Sequence, residues 1–366
     1  MKRSTRLLLG GWLALTFVIV PITAQTPFRV MSYNVENLFD IRDNPETEDN
    51  DFLPEGNRYW SHKRYAHKLR QIARVILAAG EWETPALVGL CEVENDTVLT
   101  DLLERTPLRS MNYRYCITDG SDRRGINVAL LYQPDRFRKI SQQSIPVRFS
   151  EKPRKTTRDL LHVSGELLSG DTLDLFVCHF PSRYGGEKES ERERFDAAIT
   201  LRDAADSIAA LRHCPLLLAM GDFNDTPADP SLARHLTGGC LRNLFASLEP
   251  SPVKGTHKYR GRWALLDQMF SNLSPNDSRA SLRLISDSPR IFAPPFLLTD
   301  DRTWSDKRPF RTYHGSRYEG GYSDHLPILV DFTLWAPPSS AASSAERRHD
   351  ACSSSSCVRS ERSAAR

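Results

Sequence analysis

Asp222 and Asn224 stand two residues apart in the stretch L-L-L-A-M-G-D-F-N-D-T-P, Leu216 to Pro227. A carboxylate can orient or deprotonate a water, and an amide can donate to an anionic oxygen. The apolar run before them, Leu216 to Met220, reads as a fully buried strand. Gly221 ends it, and Asp225-Thr226-Pro227 continue as turn formers. An Asx-turn after a strand gives the same pattern without chemistry. Repetition breaks the tie, because other apolar runs end in the same way.

Six such strand ends offer Asn34 with Glu36, Glu92, His179, Asp222 with Asn224, Asp267, and Asp324 with His325. The acids are hard oxygen ligands scattered along the chain. They suit Mg²⁺ or Mn²⁺ held by one or two carboxylates, with water and substrate phosphate completing the shell. Two imidazoles and two amides can donate to anionic oxygens. Together these are the parts for metal-assisted hydrolysis of a phosphate ester. No G-x-S-x-G, Walker A or H-E-x-x-H pattern occurs, so serine-esterase, nucleotide-loop and zincin chemistry lack support.

Other polar residues have plainer readings. Glu94, Asn95 and Asp225 read as turn or cap residues. His162, His213 and His257 read as surface or core fillers, and Trp60 and Tyr65 as packing for the loop before them. Arg124, Asn127 and Arg183 are the candidate substrate contacts, weighed against loop, strand and helix-cap roles.

The elements that must position these groups alternate between two periods. Strands are expected at Phe28 to Asn34, Ala86 to Leu90, Tyr113 to Ile117, Val128 to Tyr132, Phe137 to Phe149, Asp159 to Leu168, Leu173 to Cys178, Leu265 to Phe270 and Ile328 to Leu334. Ser281 to Asp287 and Ile291 to Phe296 are weaker strand signals. Helical spacing covers Tyr65 to Ala79, Thr97 to Arg105, and Glu189 to Leu211 with Phe195, Ala198, Ile199, Leu201 and Ile208 inward; a short helix follows Pro230. Many strands follow one another directly, which favours a mixed α/β layered sandwich over a doubly wound parallel sheet. The acidic loop 41–56 and the Arg-rich loop 301–321 interrupt the pattern, and the second is long enough to suggest a functional role.

The first 24 residues read as a cleavable secretion signal. Lys2, Arg3 and Arg6 precede an apolar core, Leu7 to Val20, and Ile22-Thr23-Ala24 is a small-residue cleavage site. That core is short for a membrane span, so the expectation is a secreted or periplasmic protein without stable membrane insertion. Residues 337–366 are rich in Ser, Ala and Arg and are expected to be disordered. The body, 25–336, retains 41 of the 49 basic residues and 43 of the 46 acidic ones, net −2. A balance so near neutral argues against a protein that coats nucleic acid, and leaves room for an enzyme meeting it at a local patch. Seven cysteines cannot all pair internally. Cys91 and Cys178 read as packed thiols, and Cys352 and Cys357 could close a small loop in an oxidising compartment. No zinc spacing occurs, and nothing indicates a protein partner or an oligomeric state.

With these residues laid out, the chain resembles the endonuclease/exonuclease/phosphatase superfamily, the DNase I-like fold. The matching motifs are M-S-Y-N-V-E-N at 31–37, L-C-E-V-E-N at 90–95, V-C-H-F-P-S-R at 177–183, G-D-F-N-D-T-P at 221–227, L-D-Q-M-F at 266–270 and Y-S-D-H-L-P at 322–327. They keep the family's order and span the body from Phe28 to Leu334. The resemblance implies a four-layer αββα sandwich of two packed sheets, with the site at one edge. It implies Glu92 as the main metal carboxylate, with Asn34, Glu36 and Asp324 as further metal-side residues. His179 would sit near the leaving oxygen, Asp222 would orient or activate water, and Asn224 and His325 would donate to the phosphoryl group. Asp267 would hydrogen-bond a site histidine. The implied activity is phosphate-ester hydrolysis. Nucleic acid is the first expected substrate, a phosphatase or phospholipid phosphodiesterase role the second, and a non-catalytic binding protein the third.

Overall fold

The computed structural model describes residues 24–81, 83–248 and 253–336. The expected secretion signal, apart from Ala24, and the expected tail lie outside the described residues. In chain order the strands are β1 (Ala24–Leu38), β2 (Leu87–Val93), β3 (Arg114–Ile117), β4 (Asn127–Tyr132), β5 (Phe137–Ile145), β6 (Leu160–Leu167), β7 (Thr172–His179), β8 (Leu216–Asp222), β9 (Arg242–Asn243), β10 (His257–Tyr259), β11 (Arg262–Ala264), β12 (Asp267–Ser271), β13 (Leu282–Leu284), β14 (Arg290–Ile291), β15 (Leu298–Asp300), β16 (Lys307–Pro309), β17 (Tyr313–His314), β18 (Arg317–Tyr318) and β19 (Ile328–Ala336). The helices are α1 (His62–Gly80), α2 (Asp96–Glu104) and α3 (Glu191–Leu211).

Two sheets form the body. The first runs β13-β19-β1-β2-β4-β3, with β14 also on β19; the second runs β5-β6-β7-β8-β12-β9. Met31, Leu90 and Leu130 of the first sheet share one core with Leu175, Val177, Leu218 and Met220 of the second. Gly89 makes room at the centre, since a Cβ there would stand 3.0 Å from the Met220 sulfur. The apolar stripe of α1, Leu69, Ile72, Val75 and Ile76, joins that core. A second core lies under α3, where Ala197, Ala198, Leu201 and Ala205 meet Phe176, Leu217, Ala219 and Phe270. The architecture is the expected two-sheet α/β sandwich. Phe195 and Ile199, expected inward on α3, are only half-buried, because the small alanines let the helix sit close to the sheet.

Each sheet holds one parallel pair, β1 with β2 and β7 with β8. Both are buried on their two faces, which is why they read as continuous apolar runs. Their carboxyl ends carry Asn34, Glu92, His179 and Asp222, the side of an α/β sheet where ligands bind. The expected strand β1 is extended at both ends, from Ala24 to Leu38, because it pairs along β19 from Ala24 to Ser32 and again with β2 at Leu38. The long loop 301–321 is partly ordered by two hairpins, β15–β16 and β17–β18.

Gly221 is the tightest point of the β7–β8 pair. Its φ is +148°, and a Cβ would fall 1.9 Å from the Cys178 carbonyl oxygen. Gly221→Ala should therefore cost roughly 2–4 kcal/mol through strain and a forced separation of the two strands. A urea denaturation midpoint equal to that of the parent protein would show that the pair tolerates a side chain there.

Candidate active site

Sheet register builds one row of the site. His179 on β7 stands opposite Asp222 on β8, and Asp222 stands opposite Asp267 on β12. Neighbouring strands lie about 4.8 Å apart, so three adjacent strand ends bring an imidazole and two carboxylates together without any loop. The His179 Nε2 lies 3.6 Å from Asp222 Oδ2 and 3.9 Å from Glu92 Oε1. The Asp222 Oδ1 accepts the Asn224 N–H at 2.9 Å, and the Asn224 side-chain amide donates to the Phe180 carbonyl at 3.1 Å.

The facing sheet supplies the rest. The Asn34 amide donates to Asp222 Oδ2 at 3.1 Å and reaches Glu92 Oε1 at 3.5 Å, so one side chain spans the two sheets. Glu92 sits where the register of β2 against β4 shifts between Cys91 and Val93, a bulge that turns its side chain out of the ladder. Its Oε2 accepts the Asn37 N–H at 2.8 Å. Glu36, Asn37, Glu92 and Asn224 all have φ between +52° and +66°. Non-glycine residues in that region store strain, about 1–3 kcal/mol each, which the surrounding bonds must offset.

The loop before β19 closes the site. The Ser323 hydroxyl donates to the Asn34 carbonyl at 2.7 Å and accepts the His325 N–H at 3.1 Å. The His325 Nδ1 then meets Asp267 Oδ2 at 2.7 Å, and its Nε2 lies 3.8 Å from Asp222 Oδ2. Asp324 pairs with Arg311, whose Nε is 3.6 Å from Glu36 Oε1. Glu36 is held further by the Thr312 N–H at 2.6 Å and by Lys68, whose Nζ is 3.9 Å away.

Burial divides these groups by charge. Asp222 is raised to about 7, chiefly by burial, and Glu36 likewise to about 7, by burial and then by Asp324. Burial holds the His179 ring well below the usual imidazole range, helped by the cations Arg158 and Arg124, so it is neutral at pH 7. Burial also opposes charge on His325, but the Asp267 and Asp222 carboxylates outweigh it and raise it well above its usual value. One histidine is therefore a neutral partner and the other a cationic donor.

Asp222 and Glu36, which resist ionisation, suit a hard divalent cation that would restore their charge. Glu92, Asp222 and the Asn34 amide offer oxygens on one side of the site, and Glu36 and Asp324 on the other. Two sets of ligand-type atoms also fall within 4.8 Å of one another, His257 with Asp324 and His325, and Asp222 with Asp267 and His325. In the second set the short His325–Asp267 hydrogen bond already accounts for the contact.

Compared with known proteins, residues 29–333 match the endonuclease/exonuclease/phosphatase family. The chain belongs to that family. No curated protein matches it. Among solved structures, a family member from Bacteroides thetaiotaomicron is similar at TM-score 0.55 and 16% identity, covering 85% of this chain and 96% of the other. A mannosyl-6-phosphatase from the same organism gives 0.54 and 15%, covering 83% and 99%. D. rerio TDP2 complexed with a single-strand DNA product gives 0.51 and 18%, covering 84% and 99%. At these identities the likeness shows a shared fold.

Within this family frame, two of the candidate substrate contacts have other partners. The Asn127 amide donates to the Glu94 carbonyl at 2.9 Å and accepts from Thr118 and Gly120 at 3.0 Å, so it fastens the 118–120 turn to β2. The Arg183 guanidinium binds the Asn224 carbonyl at 2.7 Å, Asp225 at 3.0 Å and Asp229 at 2.6 Å, holding the turn after β8. In this structure both side chains hold backbone around the site. Arg124 stays half-exposed beside Asp122, near enough to His179 to influence its charge.

Four contributors escaped the sequence reading. His257, read as a filler, pairs with His325 as an isolated bridge, with the ring centroids 4.7 Å apart and Nε2 4.0 Å from Asp324. Arg158 is buried, with its guanidinium on the Phe180 carbonyl at 2.6 Å and on Asp122 at 3.2 Å. Lys68 of α1 reaches Thr312 and Tyr322, each at 2.6 Å, and Arg311 comes from the Arg-rich loop 301–321, in which the sequence singles out no one residue. Their partners are distant in sequence, so only the polar character of 301–321 gave any signal.

The His325–Asp267 pair yields a sign. A raised folded pKa contributes stability that is complete below the unfolded value, about 6.5, and is lost as pH rises through the folded value. Asp267→Asn should lower the His325 pKa, read by NMR titration of its ring proton. The stability deficit of the variant should be largest near pH 6 and shrink as pH rises. An unchanged titration would remove Asp267 as the source of the shift.

Proposed function

We propose that this protein is a secreted, divalent-metal-dependent phosphodiesterase that cleaves nucleic acid. The observation that carries the chemistry is the row His179, Asp222 and Asp267–His325, met across the sandwich by Asn34 and Glu92. Asp222 has a pKa near the working pH and two oxygens held by backbone and amide donors, which suits orienting and deprotonating a water. The charged His325 donates from Nε2 to a phosphoryl oxygen where negative charge grows. Asp267 accepts from Nδ1 and fixes the orientation of the ring. Neutral His179 lies opposite Asp222 and is placed to donate a hydrogen bond to the departing oxygen. Glu92, Asn34, Glu36 and Asp324 would hold Mg²⁺ or Mn²⁺, which when bound neutralises phosphate charge.

Nucleic acid is favoured by the surface beyond His257. The β10–β11 hairpin runs from His257 out to Tyr259, which is 64% exposed, and Trp304, 55% exposed, lies against Gly261 at its tip. Arg260 stands over the Tyr259 ring, with its Cζ 5.2 Å from the centroid. Exposed rings interleaved with Arg and Lys are what single-stranded nucleic acid stacks on. A second reading, hydrolysis of a sugar phosphate, is favoured by the small size of the pocket beside Glu36, about 210 Å³.

Incubation with plasmid DNA, oligonucleotides, bis-p-nitrophenyl phosphate, p-nitrophenyl phosphate and sugar phosphates, with and without Mg²⁺ or Mn²⁺, separates these readings. Metal-dependent nicking whose affinity falls steeply with salt is expected for the first. Turnover of monoesters alone would replace it with the second. Asp222→Ala should fold normally and lose roughly 10³-fold or more in kcat. An active, folded Asp222→Ala protein would remove the assignment of the water to Asp222.

A further inference from the structure

Beside the catalytic row lies a cavity of about 210 Å³ that opens onto Glu36 and Asp324. Its walls come from the end of β1, the stretch before α1 and the loop before β19. Phe52 and Arg58 belong to the stretch between β1 and α1; Arg311, Tyr313 and Gly315 belong to the loop before β19; Asn37 is at the end of β1. The volume is below that of a pocket for a drug-sized ligand and suits one ring or one ionic group.

Arg58 is the unusual wall. Its guanidinium lies over the Tyr313 ring, 5.0 Å from the centroid, and Nη1 donates to the Gly315 carbonyl. Among the described residues no carboxylate lies within ion-pair distance of it. Arg311, by contrast, is matched by Asp324 and Glu36, and Lys68 adds a second cation beside Glu36. Of the two arginines on the cavity wall, Arg58 is the one without a carboxylate partner among the described residues. A guanidinium has five N–H donors in a planar fork, and Arg58 uses one on the protein. The ring beneath and the carbonyl contact hold the fork in place, so less freedom is lost when it binds.

We propose that Arg58 binds a second anionic group of the substrate, a phosphoryl group beyond the one being hydrolysed, with the Asn37 amide as a further donor. The proposal rests on the hydrolase reading for the position of the first phosphate. It narrows the substrate class to esters that carry two phosphates within one ring or one nucleotide of each other. A neighbouring phosphate of a nucleic-acid strand and a second phosphate on a sugar share that chemistry.

Two readouts test it on the intact mature chain with Mg²⁺ present. The first is calorimetric binding of inorganic pyrophosphate and of orthophosphate, which needs no turnover. Wild type should prefer pyrophosphate, Arg58→Ala should lose roughly 10-fold or more of that preference, and Arg58→Lys should recover part of it. The second is kcat and KM on dinucleotides with and without a terminal phosphate, beside a sugar bisphosphate and its monophosphate. The terminal phosphate should lower KM in wild type and not in Arg58→Ala. The pair that shows this difference identifies whether the second phosphate comes from a strand or a sugar. Equal loss by Arg58→Ala on every ligand, or no loss on any, overturns the proposal and leaves the hydrolase reading standing. Absence of turnover with an Arg58-dependent pyrophosphate preference overturns the hydrolase reading and keeps the anion site.

Discussion

One amide joins the two halves of this molecule where it matters. The Asn34 side chain leaves the first sheet and donates to Asp222 on the second while reaching Glu92 beside it. Burial makes Asp222 resist ionisation, and an amide beside it satisfies its oxygen without adding charge. The sandwich packing must be close for that bond to form. Gly89 beneath Met220 is a place where backbone gives way between the sheets to allow it.

Around that bond the site is divided by electrostatics more than by residue type. His179 and His325 are the same side chain with opposite charge preferences. Burial and two nearby guanidiniums keep the first neutral, and two carboxylates keep the second protonated. Residues whose surroundings push them apart in this way are able to take complementary roles in proton transfer. The left-handed backbone at Glu36, Glu92 and Asn224 belongs to the same design, because each turn presents its side chain to the common cleft.

Much of this was legible in the sequence because the strands are buried on both faces. A run such as Leu216 to Met220 has one reading, and the polar residue that ends it must lie at a sheet edge. The layers followed from the order of periods, and the grouping of strand-end acids and imidazoles followed from the motifs. What the sequence withheld depends on tertiary partners. His257 joins the site only because Thr256 binds the Leu266 and Asp267 amides and brings β10 beside His325. Lys68 looks like one more polar residue on α1 until Thr312 and Tyr322 fold over it. Asn127 and Arg183 have the right chemistry and neighbourhood for substrate, yet their donors face Glu94, Asp225 and Asp229. Sequence proximity to a motif does not say which way a donor points.

The row of His179, Asp222 and Asp267 sits at one level across three adjacent strands of a hydrogen-bonded sheet. Its spacing is therefore set by the backbone, in steps of one strand across and one residue along, and no side-chain substitution can adjust it finely. A slip of one residue would bring Gly221 or Phe223 to the cleft in place of Asp222. The geometry of bond cleavage is thus rationed in whole units by the sheet. The walls around it, made of the segment carrying Arg58 and the loop carrying Arg311, are free of that sheet. The molecule separates a fixed gauge for chemistry from an adjustable frame for whatever is brought to it.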